Sequence, residues 1–129
     1  MVRRDIIEPH VKHRADMFAN PLAVTKNSIE RKGNHVTVKM TANAPLFGQQ
    51  EIKVKKGEKV TLIVTNHDEI VDLSNGVAIS SYNINFVVGP FQTKSVTFNA
   101  DKAGVFWVYC TNFCHALHLE MRFRMIVEV

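Results

Sequence analysis

The stretch Val36-Thr37-Val38-Lys39-Met40-Thr41 alternates apolar and polar side chains without a break. Successive side chains of an extended strand point to opposite faces, so this pattern gives one dry face and one wet face. Val36, Val38 and Met40 share the first; Thr37, Lys39 and Thr41 share the second. Ile52 and Val54, then Val60, Leu62 and Val64, continue the period of two. Further strand-like runs cover residues 84–88, 95–98, 105–109 and 123–129. Turn chemistry falls between them at Lys56-Gly57, Asn75-Gly76, Gly89-Pro90 and Asp101-Lys102-Ala103-Gly104. Roughly seven short strands at this spacing predict an all-β, antiparallel Greek-key sandwich. No helical stripe, internal repeat or low-complexity tract interrupts the pattern.

The first thirty or so residues behave differently. Pro9, Pro21, His10, His13 and scattered charges show no sustained period there. They predict an extended arm or connector over residues 1–34 and a folded domain over 35–129. A chain of 129 residues with 46% hydrophobic side chains fits one globular domain. Its net charge of +4 is spread out, and Lys53, Lys55, Lys56 and Lys59 come closest to a patch. Lys53 and Lys55 alternate with Ile52 and Val54, as on the wet side of a half-buried strand. No aromatic residues interleave with the basic ones, so nucleic acid is not an expected partner. No apolar run approaches the roughly 20 residues that span a bilayer, so a membrane is not expected either. The start, Met1-Val2-Arg3-Arg4-Asp5, lacks the apolar stretch of a secretory leader.

Chemistry concentrates between the last two strands, in Cys110-Thr111-Asn112-Phe113-Cys114-His115-Ala116-Leu117-His118-Leu119-Glu120-Met121. Both cysteines of the chain lie here, four positions apart. Two thiolates, an imidazole and a thioether make a soft donor set, which suits copper better than hard cations. A disulfide closing so short a loop stabilises little and leaves His118 and Met121 without a role. Zinc wants four strong donors and has little use for a thioether. Met121 taken alone reads as core packing. Taken together, Cys110, Cys114, His118 and Met121 predict a copper site on a loop at one end of the sandwich. A mononuclear blue site uses one cysteine, two histidines and a weak methionine, and would leave Cys110 over. Two bridging thiolates would instead hold two copper ions close together. The second cysteine separates these readings.

The spacing Cys-x3-Cys-x3-His-x2-Met resembles the CuA loop of nitrous-oxide reductase and of cytochrome c oxidase subunit II. Phe113-Cys114-His115-Ala116-Leu117-His118 with Glu120-Met121 is similar to the reductase form; the oxidase usually has glycine after the second cysteine. Thr65-Asn66, Asp68-Glu69-Ile70, Asp72-Leu73-Ser74 and Gly89-Pro90-Phe91-Gln92-Thr93 extend that likeness from about residue 36 to the end. The resemblance implies a cupredoxin sandwich with a dinuclear copper centre, the C-terminal electron-transfer domain of a periplasmic enzyme. It implies a small electron-donor protein, of cytochrome c or cupredoxin type, as one partner. The other is the propeller domain of the parent enzyme, whose copper-sulfide cluster reduces nitrous oxide to dinitrogen. On this reading the chain is an isolated domain that does not reduce nitrous oxide by itself. The oxidase domain and a copper-storage or delivery protein are the competing readings.

Carried over residue by residue, Cys110 and Cys114 match the bridging thiolates, His118 an imidazole ligand and Met121 the weak thioether. Asn112 stands where the family supplies a backbone carbonyl and usually has tryptophan. The family's other imidazole comes from an Asp-x-x-His-Gly stretch, which here reads Asp72-Leu73-Ser74-Asn75-Gly76. Asn75 thus stands where a ligand histidine is expected. Its amide oxygen is a hard, neutral donor, poorly matched to copper with thiolate partners. His10, His13, His35, His67 and His115 are expected to be surface residues rather than substitutes.

Overall fold

The computed structural model describes residues 21–43, 46–67, 75–79, 81–110 and 121–129. The alternation found in the sequence closes into two layers because each strand has one apolar face to bury. Ten strands run in chain order among the described residues: β1 (Ser28–Lys32), β2 (His35–Asn43), β3 (Leu46–Phe47), β4 (Glu51–Lys55) and β5 (Lys59–Asn66), followed by β6 (Asn75–Ile79), β7 (Ile84–Val88), β8 (Thr93–Asn99), β9 (Gly104–Tyr109) and β10 (Arg122–Glu128). One sheet has the order β1-β2-β5-β8, with β3 attached to β2; the other has the order β4-β10-β9-β6-β7. No helix occurs among the described residues.

The core lies between the layers. Val36, Val38 and Met40 of β2 and Val60, Leu62 and Val64 of β5 meet Ile52, Val54, Phe123, Met125 and Val127 from the opposite sheet. All are buried, as the period of two requires. Phe47 and Phe123 touch edge to face, with ring centroids 5.4 Å apart at 78°. That arrangement sets the positive edge of one ring on the negative face of the other.

The structure adds detail in three places. Among the described residues, two of the eight ladders are parallel, β2 with β5 and β4 with β10. Alternation fixes which face is dry but carries no information on strand direction. Residues 28–32, without a period in the sequence, form β1 and pair along their length with β2. Edge strands need only one covered side, so their pattern is weak. Asn75-Gly76 does not form a turn: it opens β6, pairing with Val88 and Val87 of β7. A run of backbone ladder bonds there overrides local turn preference. Thr65 and Asn66 likewise belong to β5, both fully buried.

At one pole, Arg31 of β1 reaches across to the other sheet. Its Nε and Nη2 donate to Glu58 Oε2 and Oε1 at 3.1 and 3.3 Å, and Nη2 also donates to the Lys53 carbonyl. Lys55 N donates to Glu58 Oε1 at 2.6 Å. Tyr82 plugs the same end, packed between Phe98 and Phe106 and hydrogen-bonded to the Lys102 backbone. The opposite pole gathers the ends of β2, β5, β7 and β9 with the starts of β6, β8 and β10. The candidate site lies there.

Candidate metal centre

β9 and β10 are antiparallel neighbours, with Tyr109 opposite Arg122. The end of β9 and the start of β10 therefore lie side by side. Cys110 ends the outgoing side and Met121 begins the return. Cys110 N donates to the Met121 carbonyl at 2.9 Å, which closes the base of the loop. Both side chains are buried, 5% and 1% exposed, and belong to the core cluster. The sandwich thus delivers one sulfur from each side of the loop to the top of its core, shielded from water.

β6 brings the third expected residue to the same pole. Ala78 pairs with Tyr109 and Ile79 with Val108. Val77, fully buried, comes next along β6 toward the Cys110 end of β9. Asn75 lies two residues beyond, about 7 Å of strand length at the usual rise. Its backbone is fixed on the other side by pairing with Val88 of β7.

The residue that ties this corner together is Asn66, fully buried at the end of β5. Asn66 N donates to the Gln92 carbonyl and its own carbonyl accepts from Phe91 N, both at 2.9 Å. Its side-chain Nδ2 donates to the Val88 carbonyl at 3.0 Å, crossing from one sheet to the other. Gln92 Oε1 accepts from Gly89 N, and Phe91 is held at φ 59°. A non-glycine residue in the left-handed region is strained, and these bonds hold it there. Sequence reading quoted Asn66 and the 89–93 stretch only as family likeness. Their joining role carried no separate signal, because it depends on which strands meet.

The remaining expected ligands, Asn112, Cys114 and His118, lie outside the described residues, as do His10, His13 and His115. Among the described residues no group of three or more His, Cys, Asp or Glu side chains could hold a metal. Two histidines are accounted for by other bonds. His67 Nε2 bonds the Val24 carbonyl at 2.7 Å, and exposed His35 Nε2 lies 2.7 Å from Thr61 Oγ1. A buried thiol and a buried thioether at one loop base suit a soft metal, and copper fits that pair better than any hard cation.

A two-layer Greek-key sandwich with a buried thiol and a buried thioether side by side where β9 ends and β10 begins defines the class. The sequence profile of the cupredoxin-like domain matches residues 17–127, and the chain belongs to that family. Within it, the chain is similar to nitrous-oxide reductase. It is 55% identical to that of Cupriavidus necator over 129 residues, 98% of this chain and 20% of that protein. It is 53% identical to that of Ralstonia nicotianae, with the same coverage. The chain therefore spans about a fifth of the length of the curated relatives it matches. Among solved structures it resembles a heme-copper terminal oxidase dimer, with TM-score 0.63, 24% identity, and coverage of 86% of this chain and 84% of that one. It also resembles the periplasmic domain of subunit II of the cytochrome oxidase of Bradyrhizobium japonicum, with TM-score 0.60, 17% identity, and coverage of 81% and 86%. Those two likenesses speak for the fold. Family and relatives together imply copper as the metal and electron transfer as the chemistry.

Proposed function

We propose that this chain is a dinuclear CuA domain of the nitrous-oxide reductase kind. It would take electrons from a small donor protein and pass them to the catalytic copper cluster of the parent enzyme, in the periplasm. Cys110 and Cys114 would bridge the metals, with His118, Met121 and the Asn112 carbonyl completing the site and Asn75 in place of a second imidazole. The observation that carries this reading is the Cys110–Met121 loop base, two buried sulfur side chains joined by a 2.9 Å backbone bond.

When bound, a copper pair supplies a one-electron redox couple. The protein's own part is to keep ligand movement small as charge changes. The loop base is anchored on two neighbouring strands, and the Asn75 backbone on a third that Asn66 fastens through Val88. A scaffold locked at several points leaves ligands little room to rearrange. Burial of Cys110 and Met121 keeps water from competing as a donor. Identities of 53–55% to reductases, against 17–24% to the two oxidase structures, favour the reductase over the oxidase subunit. Copper analysis tests the assignment: close to two ions per chain are expected, falling to at most one with Cys110→Ser. One ion in the unmutated chain, unaffected by that change, would remove the dinuclear reading.

A further inference from the structure

β9 runs Gly104-Val105-Phe106-Trp107-Val108-Tyr109 and occupies the middle of its five-stranded sheet. Its inner face is core: Val108 is fully buried and Phe106 packs against the cluster. Alternation then calls for polar residues on the outer face. Instead Val105, Trp107 and Tyr109 are found there, 58%, 43% and 43% exposed. An exposed apolar strip rimmed by polar residues marks an interaction site. Tyrosine, tryptophan and arginine are also the residues that anchor protein interfaces.

The neighbouring strands surround this strip with charge. Arg122 and Arg124 stand opposite Tyr109 and Trp107, and the Arg122 guanidinium lies 4.6 Å from the Trp107 ring centroid. Lys53 and Lys55 lie further out on β4, both exposed. Among the described residues, the outer face sets two carboxylates against these four cations: Glu51, bonded to Arg124 at 2.6 Å, and Glu128. The described part of this face is therefore positive around an aromatic centre. A second copy would bring like charges together, which costs association energy. A partner with carboxylates around an apolar centre fits.

We propose that the outer face of the β4-β10-β9-β6-β7 sheet, centred on Trp107 and Tyr109, docks an acidic electron-transfer protein. The partner's redox role rests on the copper reading above; the docking does not. Tyr109 is one peptide bond from Cys110, so a donor seated on this face has a short covalent route to the site. One electron would leave the donor's ferrous haem, which becomes ferric, and be taken up by the copper pair. No bond forms and no proton moves.

The probe is a c-type cytochrome in two forms, native with its basic lysine surface and the same protein with its lysines succinylated. Mixed with copper-loaded chain at low salt, the ferrous succinylated form should transfer its electron about tenfold faster or more, an advantage lost at high salt. Lys53→Glu with Arg124→Glu should reverse the preference. Trp107→Ala should slow the acidic form roughly tenfold, as loss of an interface anchor does, with copper content unchanged. Titrating the succinylated cytochrome into metal-free chain should shift amide signals of β4, β9 and β10. This second measurement needs no copper, so a failed copper assignment and a failed docking surface are told apart. Faster reaction with the native cytochrome, or shifts confined to the Asn66 and Asn75 pole, would overturn the proposal. So would equal shifts with heparin, which would mean plain anion binding, or face-mediated self-association, which would mean a second copy.

Discussion

Replacing Glu58 with glutamine tests how the two sheets are clamped. The Glu58 carboxylate takes two bonds from Arg31 at 3.1 and 3.3 Å and one from Lys55 N at 2.6 Å. The Glu58 side chain is 7% exposed, but Arg31 is 44% exposed, so the carboxylate is covered by its partner rather than sunk in the core. Glutamine keeps one acceptor and turns an amide N–H toward a donor. Charge-assisted hydrogen bonds contribute about 1.5–3 kcal/mol each when shielded. The exposed partner reduces that through solvent screening. A loss of about 2 kcal/mol is expected, or roughly 6–10 °C in Tm for a domain of this size.

The loss should depend on pH. The Arg31 hydrogen bond holds the Glu58 carboxyl below its ordinary value of 4.5, with desolvation opposing and the Lys55 backbone bond assisting. A carboxyl with a depressed folded-state pKa adds stability above its unfolded value, and loses it as pH falls through the folded value. Melting curves of metal-free protein should therefore separate Glu58→Gln from the parent at pH 7. The two should converge as pH falls below 4.5. A gap under about 0.5 kcal/mol at pH 7, the range of ordinary surface changes, or a gap that persists in acid, would refute the clamp.

Asn66→Ala should cost about 1–3 kcal/mol by leaving the Val88 carbonyl without its Nδ2 donor. It should also speed copper loss to a chelator, because Val88 fixes the Asn75 backbone; unchanged release with lowered Tm would make Asn66 purely structural. Met125→Ala, at a fully buried core position, should cost about 2–5 kcal/mol in denaturant unfolding. A cost below 1 kcal/mol would mean that the two sheets close over the gap.

The sandwich was legible because its central strands carry strict alternation, as in Val36–Val38–Met40 and Val60–Leu62–Val64, all of them buried. β1 and β6 were not. β1 lies at an edge with one residue half-covered and four exposed, and β6 begins on Asn75-Gly76, which reads locally as a turn. The two parallel ladders were hidden too, since side-chain period is blind to strand direction. Cys110 and Met121 stood out in the sequence as soft side chains, and the fold brings their backbones together where β9 ends and β10 begins. The Asn66 hub was not legible as such, because its three bonds reach residues 22–26 positions away. The outer strip on β9 was present as a continuous apolar run, yet only the strand's central place makes that run unusual.

Paramagnetic resonance on copper-loaded protein, run beside Asn75→His, tests the central claim most directly. An asparagine in place of an imidazole leaves one metal with a poorer donor. Both proteins should bind two copper ions per chain, with hyperfine splitting from both nuclei. The electron should be shared unequally in the parent and equally once histidine stands at 75, with tighter copper retention. Splitting from a single copper nucleus in both proteins would contradict the dinuclear centre. Identical spectra and copper affinity with either residue at 75 would remove that position from the site.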